Sequence, residues 1–180
     1  TSVSYPARIM LVAAMNPCPC GFLTDEERQC KCTPLQVQRY LGRISGPFLD
    51  RLDIHIEVPR PRFSELDSPS GAEPSIKIRE RVEKAMEFQK ERLISHGVLK
   101  PPLFNAHMTP AVLQKTCHIT AEGRSLLEDA FHRLKLTARS HNKILKVART
   151  IADLAESQTI DALHIAEAIQ YRSLERKLWA

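Results

Sequence analysis

Ile144-Leu145-Lys146-Val147-Ala148-Arg149-Thr150-Ile151-Ala152-Asp153-Leu154 decides how the second half of this chain folds. Its apolar residues, with Ala155 just beyond, recur at helical spacing and cover more than half the circumference, so this helix belongs at the centre of a small bundle. Amphipathic helices flank it on both sides. Thr120, Ser140 and Asp161 stand where the three helices begin, and each is a plausible N-cap whose side-chain oxygen can accept from first-turn N–H groups. Further upstream, Thr109 followed by Pro110 opens a shorter helix. Residues 76–95 read as a long charged helix in which Ile78, Val82, Ala85, Met86 and Leu93 keep a helical period and Gly97 is placed to end it. Its interleaved Lys77, Arg79, Glu80, Arg81, Glu83, Lys84 and Glu87 suit a solvated face better than a phosphate-binding one.

Toward the amino terminus the pattern changes. Between Pro59 and Pro74 four prolines, three serines and a glycine carry little periodicity, which marks a linker at 61–74 between an amino-terminal part, 1–60, and a helical part, 75–180. In the first part Ile9-Met10-Leu11-Val12-Ala13-Ala14 is apolar without alternation, as expected of a strand covered on both faces and ended by Asn16-Pro17. Asp53-Ile54-His55-Ile56-Glu57-Val58 alternates as a second strand, with His55 toward its polar face. Thr33-Pro34 opens a helix that should reach about Ser45; Gly46-Pro47 breaks it, and residues 48–52 form another short one. The expected class is α+β, mostly α. Two strands whose sheet partners lie upstream would leave open edges.

With 180 residues, 43% of them hydrophobic, one good core or two small ones can form. The apolar run at 9–15 is too short to span a bilayer and no signal-peptide pattern precedes it, so a cytoplasmic protein with no membrane partner is expected. A net charge of +5 permits an acidic partner without demanding one. No G-x-x-x-x-G-K-[ST] loop, Asp-Glu-ended strand, H-E-x-x-H or G-x-S-x-G occurs, so this stretch alone should not hydrolyse a nucleotide, a peptide or an ester. The seven histidines are scattered, and none forms a close pair with a cysteine or carboxylate at recognised ligand spacing.

Five cysteines are an odd number for a disulfide framework, and four of them, Cys18, Cys20, Cys30 and Cys32, form two close pairs while Cys117 stands apart. In a reducing compartment the pairs favour a metal, and four thiolates suit a tetrahedral structural zinc. One residue between paired cysteines is tighter than usual, so free thiols in a tight turn are the alternative.

Three stretches have a familiar order: Tyr5-Pro6-Ala7-Arg8-Ile9-Met10-Leu11-Val12-Ala13-Ala14-Met15-Asn16-Pro17-Cys18-Pro19-Cys20-Gly21, then Tyr40-Leu41-Gly42-Arg43-Ile44-Ser45-Gly46-Pro47-Phe48-Leu49-Asp50-Arg51-Leu52-Asp53, then the helix quoted first. Together they resemble the ComM/YifB family of magnesium-chelatase-like AAA+ ATPases, over nearly the whole chain. The resemblance implies the end of an AAA+ α/β core bearing a Cys-rich insertion, followed by an all-helical lid, from the carboxy-terminal part of a hexameric, ATP-driven motor acting on branched DNA. It implies ATP and magnesium at a site whose phosphate loop lies upstream.

Residue by residue, the resemblance makes Asn16 the sensor 1 that orients the attacking water, a task for which an amide offers both donor and acceptor. Arg51 becomes the arginine finger that enters a neighbouring subunit's site. Arg139 becomes sensor 2, touching the phosphates from the lid. Arg149 is the rival for sensor 2, though inside its helix it can simply face solvent; Arg43 is a second candidate for the contact between subunits. Bare spacing favours plainer roles: a turn residue for Asn16 and a surface ion pair for Arg51, set between Asp50 and Asp53. Two other functions stay open, a zinc-stabilised module binding DNA or protein without ATP chemistry, and a magnesium-chelatase subunit.

Overall fold

The computed structural model describes residues 2–3, 5, 9–61, 73–100 and 103–172, which fall into two compact units, Thr1–Ile44 and Ser45–Ala180. The linker expected at 61–74 lies almost entirely outside the described residues.

In the first unit residues 9–15 form neither helix nor ladder, and among the described residues of the whole chain no named strand occurs. This corrects the two expected strands. A strand exists through its inter-strand hydrogen bonds, and among the described residues neither 9–14 nor 53–58 forms a ladder; Ile9, Met10 and Val12 are more than four-fifths exposed. The helix among the described residues of this unit, α1 (Pro34–Leu41), begins as its sequence dictates: Thr33 caps it, with its hydroxyl accepting from the Gln36 N–H and the Gln36 side chain accepting from the Thr33 N–H in a capping box. It stops at Gly42, short of Ser45.

Ser45 instead opens the second unit. Its hydroxyl accepts from the Phe48 N–H at 3.3 Å, and Gly46-Pro47 become the first positions of α2 (Gly46–Leu49) rather than a mere interruption. Among the described residues six elements follow: α3 (Ser75–Ser95), a 3-10 turn (Asn105–His107), α4 (Pro110–Thr116), α5 (Ala121–Arg133), α6 (Ala138–Leu154) and α7 (Ala162–Gln170). The central place predicted for the Ile144 stretch holds. Helix α6 packs on α7, α3, α4 and the 3-10 turn, and Ile144, Leu145, Ala148 and Ala152 enter one core with Leu93, Leu113, Leu127, Ile160 and Ile165.

The caps at Thr109, Thr120 and Asp161 are as expected, but the cap of α6 lies three residues before Ser140. Thr137 is its cap, accepting from the Ser140 N–H at 3.1 Å. A short parallel bridge joins Ile119 to Ile160, with the Thr120 N–H on the Ile160 carbonyl at 2.9 Å. Gly123 is required there, because a Cβ would lie 3.1 Å from the carbonyl carbon of Asp161 and equally close to Ile119 Cγ2.

Of residues 53–58 only His55 is buried, although it was expected on the polar face of a strand. His55 is buried, its Nε2 3.2 Å from the Leu49 carbonyl and its backbone N–H donating to the Tyr171 carbonyl at 2.6 Å, while Ile54, Ile56 and Val58 are exposed. Asp53 and Glu57 are exposed as well, so the segment buries His55 alone and leaves its apolar residues uncovered.

Candidate functional site

Two clusters of chemically capable side chains emerge, one in each unit. In the first, the chain turns sharply after Cys18, whose carbonyl accepts from the Gly21 N–H at 3.0 Å, with Gly21 in the left-handed region at φ +82°. That turn brings Cys18 and Cys20 within 3.3 Å, sulfur to sulfur. The loop is then ordered by Asp25, which accepts from the Glu27 and Arg28 N–H groups, and by the Arg28 guanidinium over the Phe22 ring. It returns Cys30 to 3.7 Å from Cys18 and 3.5 Å from Cys20, and Cys32 precedes the Thr33 cap directly.

All four sulfurs lie within 4.8 Å of one another and none is in a disulfide. Four thiolates around one zinc at about 2.3 Å would stand about 3.8 Å apart. The donor set therefore fits a zinc tetrahedron. Its protonation chemistry fits too. Backbone N–H groups of Phe22 and Lys31 lower the Cys20 thiol to about 6, whereas burial, joined by the Cys20 sulfur, pushes Cys32 up to about 12. Crowded thiolates suppress one another's ionisation unless a cation neutralises them. Asn16 sits beside this turn, exposed, its amide 3.9 Å from where a Gly21 Cβ would stand.

In the second unit the hub is Asp50, at the end of α2. Its Oδ1 accepts from the Ser140 hydroxyl at 2.8 Å and from Arg172 at 3.4 Å, and its Oδ2 from Arg139 at 3.2 Å. Burial alone would raise the Asp50 carboxyl, but the hydrogen bonds from Ser140 and Arg139 and the charge of Arg172 outweigh it and hold the group below its ordinary range. One turn along α6, Lys143 donates to Asp53 at 2.7 Å and to the Arg51 carbonyl. Arg51 itself points outward and donates to the Pro47 carbonyl at 2.7 Å. The first turns of α6 thus grip residues 50–53, and the predicted Arg51 and Arg139 sit on that one junction. Asn16 and Arg43 belong to the other unit.

Arg149 is not solvent-facing. It is fully buried, donates to Asp153 at 3.1 Å and to the carbonyls of Gln158 and Ser157, and so ties α6 to the loop before α7. Asp153 also receives Arg92 from α3 and the Asn105 amide, both at 2.8 Å. Each of the three guanidinium nitrogens of Arg149 is engaged inside the bundle, leaving Arg139 as the arginine of this helix with an open side. Of this network the sequence offered only the Arg149 and Asp153 spacing of four. Arg92, Asp50, Ser140 and Arg172 carry no local signal, because their partners lie far away in the chain.

The model for the carboxy-terminal part of magnesium chelatase subunit ChlI matches residues 72–172, and the model for subunit ChlI matches residues 1–66. The chain belongs to the magnesium-chelatase-like AAA+ family. Within it, 41% of 177 residues are identical to the competence protein ComM of Haemophilus influenzae, covering 98% of this chain and 33% of ComM. YifB of Escherichia coli is 36% identical over 179 residues, with 98% and 33% covered, and a Mycobacterium tuberculosis protein 33% identical over 168 residues, with 93% and 32%. The chain thus spans about a third of the length of these relatives. Among the described residues no helix is long and apolar enough to cross a membrane.

Proposed function

We propose that this chain completes the nucleotide sites of an ATP-driven AAA+ motor whose phosphate-binding loop lies in other sequence. Residues 1–60 supply the end of the α/β core, 61–74 a linker and 75–180 the helical lid. The uncovered apolar faces at Ile9, Met10 and Val12 and at Ile54, Ile56 and Val58 support this, since they are what strands awaiting a sheet present. Subunits form a ring, and DNA, the track implied by the family resemblance, accords with the net charge of +5.

One observation carries the reading: Arg51 and Arg139 are both exposed cations, yet both are anchored on the same short segment, by the Pro47 carbonyl and by Asp50. A phosphate-sensing arginine has to be positioned and still able to leave. Arg51 serves as the finger that offsets charge on the neighbour's transferred phosphoryl group, Arg139 reads the phosphates from the lid, and Asn16 orients water. Magnesium, bound with ATP, would spread the charge of the β- and γ-phosphates. The four cysteines hold a structural zinc.

The cysteine cluster on its own favours a second reading, a zinc-stabilised module binding DNA or protein without ATP chemistry, and a magnesium-chelatase role is the third. ATP hydrolysis by the assembled protein that carries this chain separates them. Arg51→Ala is expected to lower kcat by about 10³-fold or more with assembly retained. An unchanged rate in an assembled ring contradicts the finger assignment.

A further inference from the structure

Asp50 holds two arginines in different ways. Arg172 is 3% exposed and also donates to the Leu52 carbonyl at 2.8 Å, so it is fixed in place. Arg139 is 58% exposed and reaches only the outer oxygen, Oδ2. If Arg139 swings outward, Asp50 keeps the Ser140 hydroxyl and Arg172, and no buried carboxylate is stranded; the half-solvated ion pair that is given up contributes little. The carboxylate also lies against the first turn of α6, where helix-end partial charge favours an anion. Asp50 therefore occupies, with respect to Arg139, the place a phosphate oxygen takes when the arginine is engaged.

We propose that Asp50 is a positioning residue, the resident counter-ion from which a nucleoside triphosphate's phosphates take Arg139. This rests on the reading of Arg139 as a phosphate contact. Because Asp50 adjoins Arg51 in the chain and Lys143 ties the Arg51 carbonyl to α6, release of Arg139 loosens one of the contacts between the lid helix and the finger-bearing segment. Nucleotide occupancy in one site is thereby felt at the residue that serves the next.

The test is a set of equilibrium titrations of the assembled protein with a non-hydrolysable fluorescent ATP analogue. Asp50→Asn keeps an oxygen for Ser140 and Arg172 while removing the charge that competes for Arg139, so it is expected to tighten Kd by up to about fivefold. The same substitution in an Arg139→Ala background is expected to change nothing, and Ser140→Ala, which loosens the hub without altering charge, to leave Kd within about twofold. Tightening that persists without Arg139, or is matched by Ser140→Ala, overturns the counter-ion role. If Arg139→Ala weakens binding but Asp50→Asn does not tighten it, the counter-ion proposal alone fails. If Arg139→Ala leaves Kd unchanged, the assignment of Arg139 fails and the proposal with it.

Discussion

Among the described side chains of Thr1–Ile44, only Cys18 and Leu41 are buried apolar groups, whereas Ser45–Ala180 closes an apolar core over a buried set of ions and amides. Small units that bury little need a cross-link, and four converging thiols are the only cross-link on offer among the described residues of the first. The second needs none. Its cost is different: Arg149, Arg92 and Asp153 must all be satisfied inside the bundle. The difference teaches where each unit is vulnerable, to loss of a ligand in one and to loss of a charge partner in the other.

The largest effect should come from the cysteines. In zinc-loaded protein, Cys18→Ser or chelation is expected to remove a contribution on the order of 10 kcal/mol, so that amides of residues 16–42 exchange at unfolded rates while those of α6 keep their protection. Hydrogen exchange followed by mass spectrometry reads both units at once. Uniform loss of protection would erase the contrast, and zinc-free purified protein with normal protection would remove the metal from the account.

Next comes Asp153→Ala, which strands two buried guanidinium groups and should cost about 3–5 kcal/mol in urea unfolding of the helical unit. Arg149→Met, by contrast, leaves Asp153 its Arg92 and Asn105 partners and should cost less. Gly123→Ala follows, at about 1–3 kcal/mol, because Asp161 backbone occupies the space of the added methyl. The smallest effect is on pH dependence. The folded Asp50 carboxyl titrates below its ordinary 3.8, so the stability it contributes is present above that value and lost as pH falls through the lower folded one. Asp50→Asn should therefore flatten the acid limb of a pH–stability profile and leave its alkaline limb unchanged.

Local chemistry was readable where it was complete within a few residues. The caps at Thr33, Thr109, Thr120 and Asp161 each need only the next three positions, and the burial of the Ile144 stretch follows from its own periodicity. Ser140 misled because a capping residue and a helical serine look alike; what distinguishes it is Asp50, ninety positions away in the chain. The burial of Arg149, a rival for sensor 2 that could equally face solvent, is hidden for the same reason, since its carbonyl acceptors come from a turn that sequence does not point toward it. The apolar run at 9–14 and the alternation at 53–58 are patterns of one segment each, but a ladder is a property of two, and alternation alone could not say that His55 would be the one buried residue of its stretch. The pairing of cysteines was legible as spacing, while their convergence required the positive φ of Gly21 and the ordered loop after it.

In its proposed role Arg51 acts across a subunit boundary on a site its own chain does not finish. That role is tested most directly by mixing two inactive forms of the assembled protein, one carrying Arg51→Ala and the other a disabled phosphate-binding loop. Mixed rings should recover ATP hydrolysis, because the loop-defective subunit still offers its Arg51 to the intact loop of its neighbour. Rings that mix, as judged by subunit exchange, yet stay inactive at every ratio would contradict it.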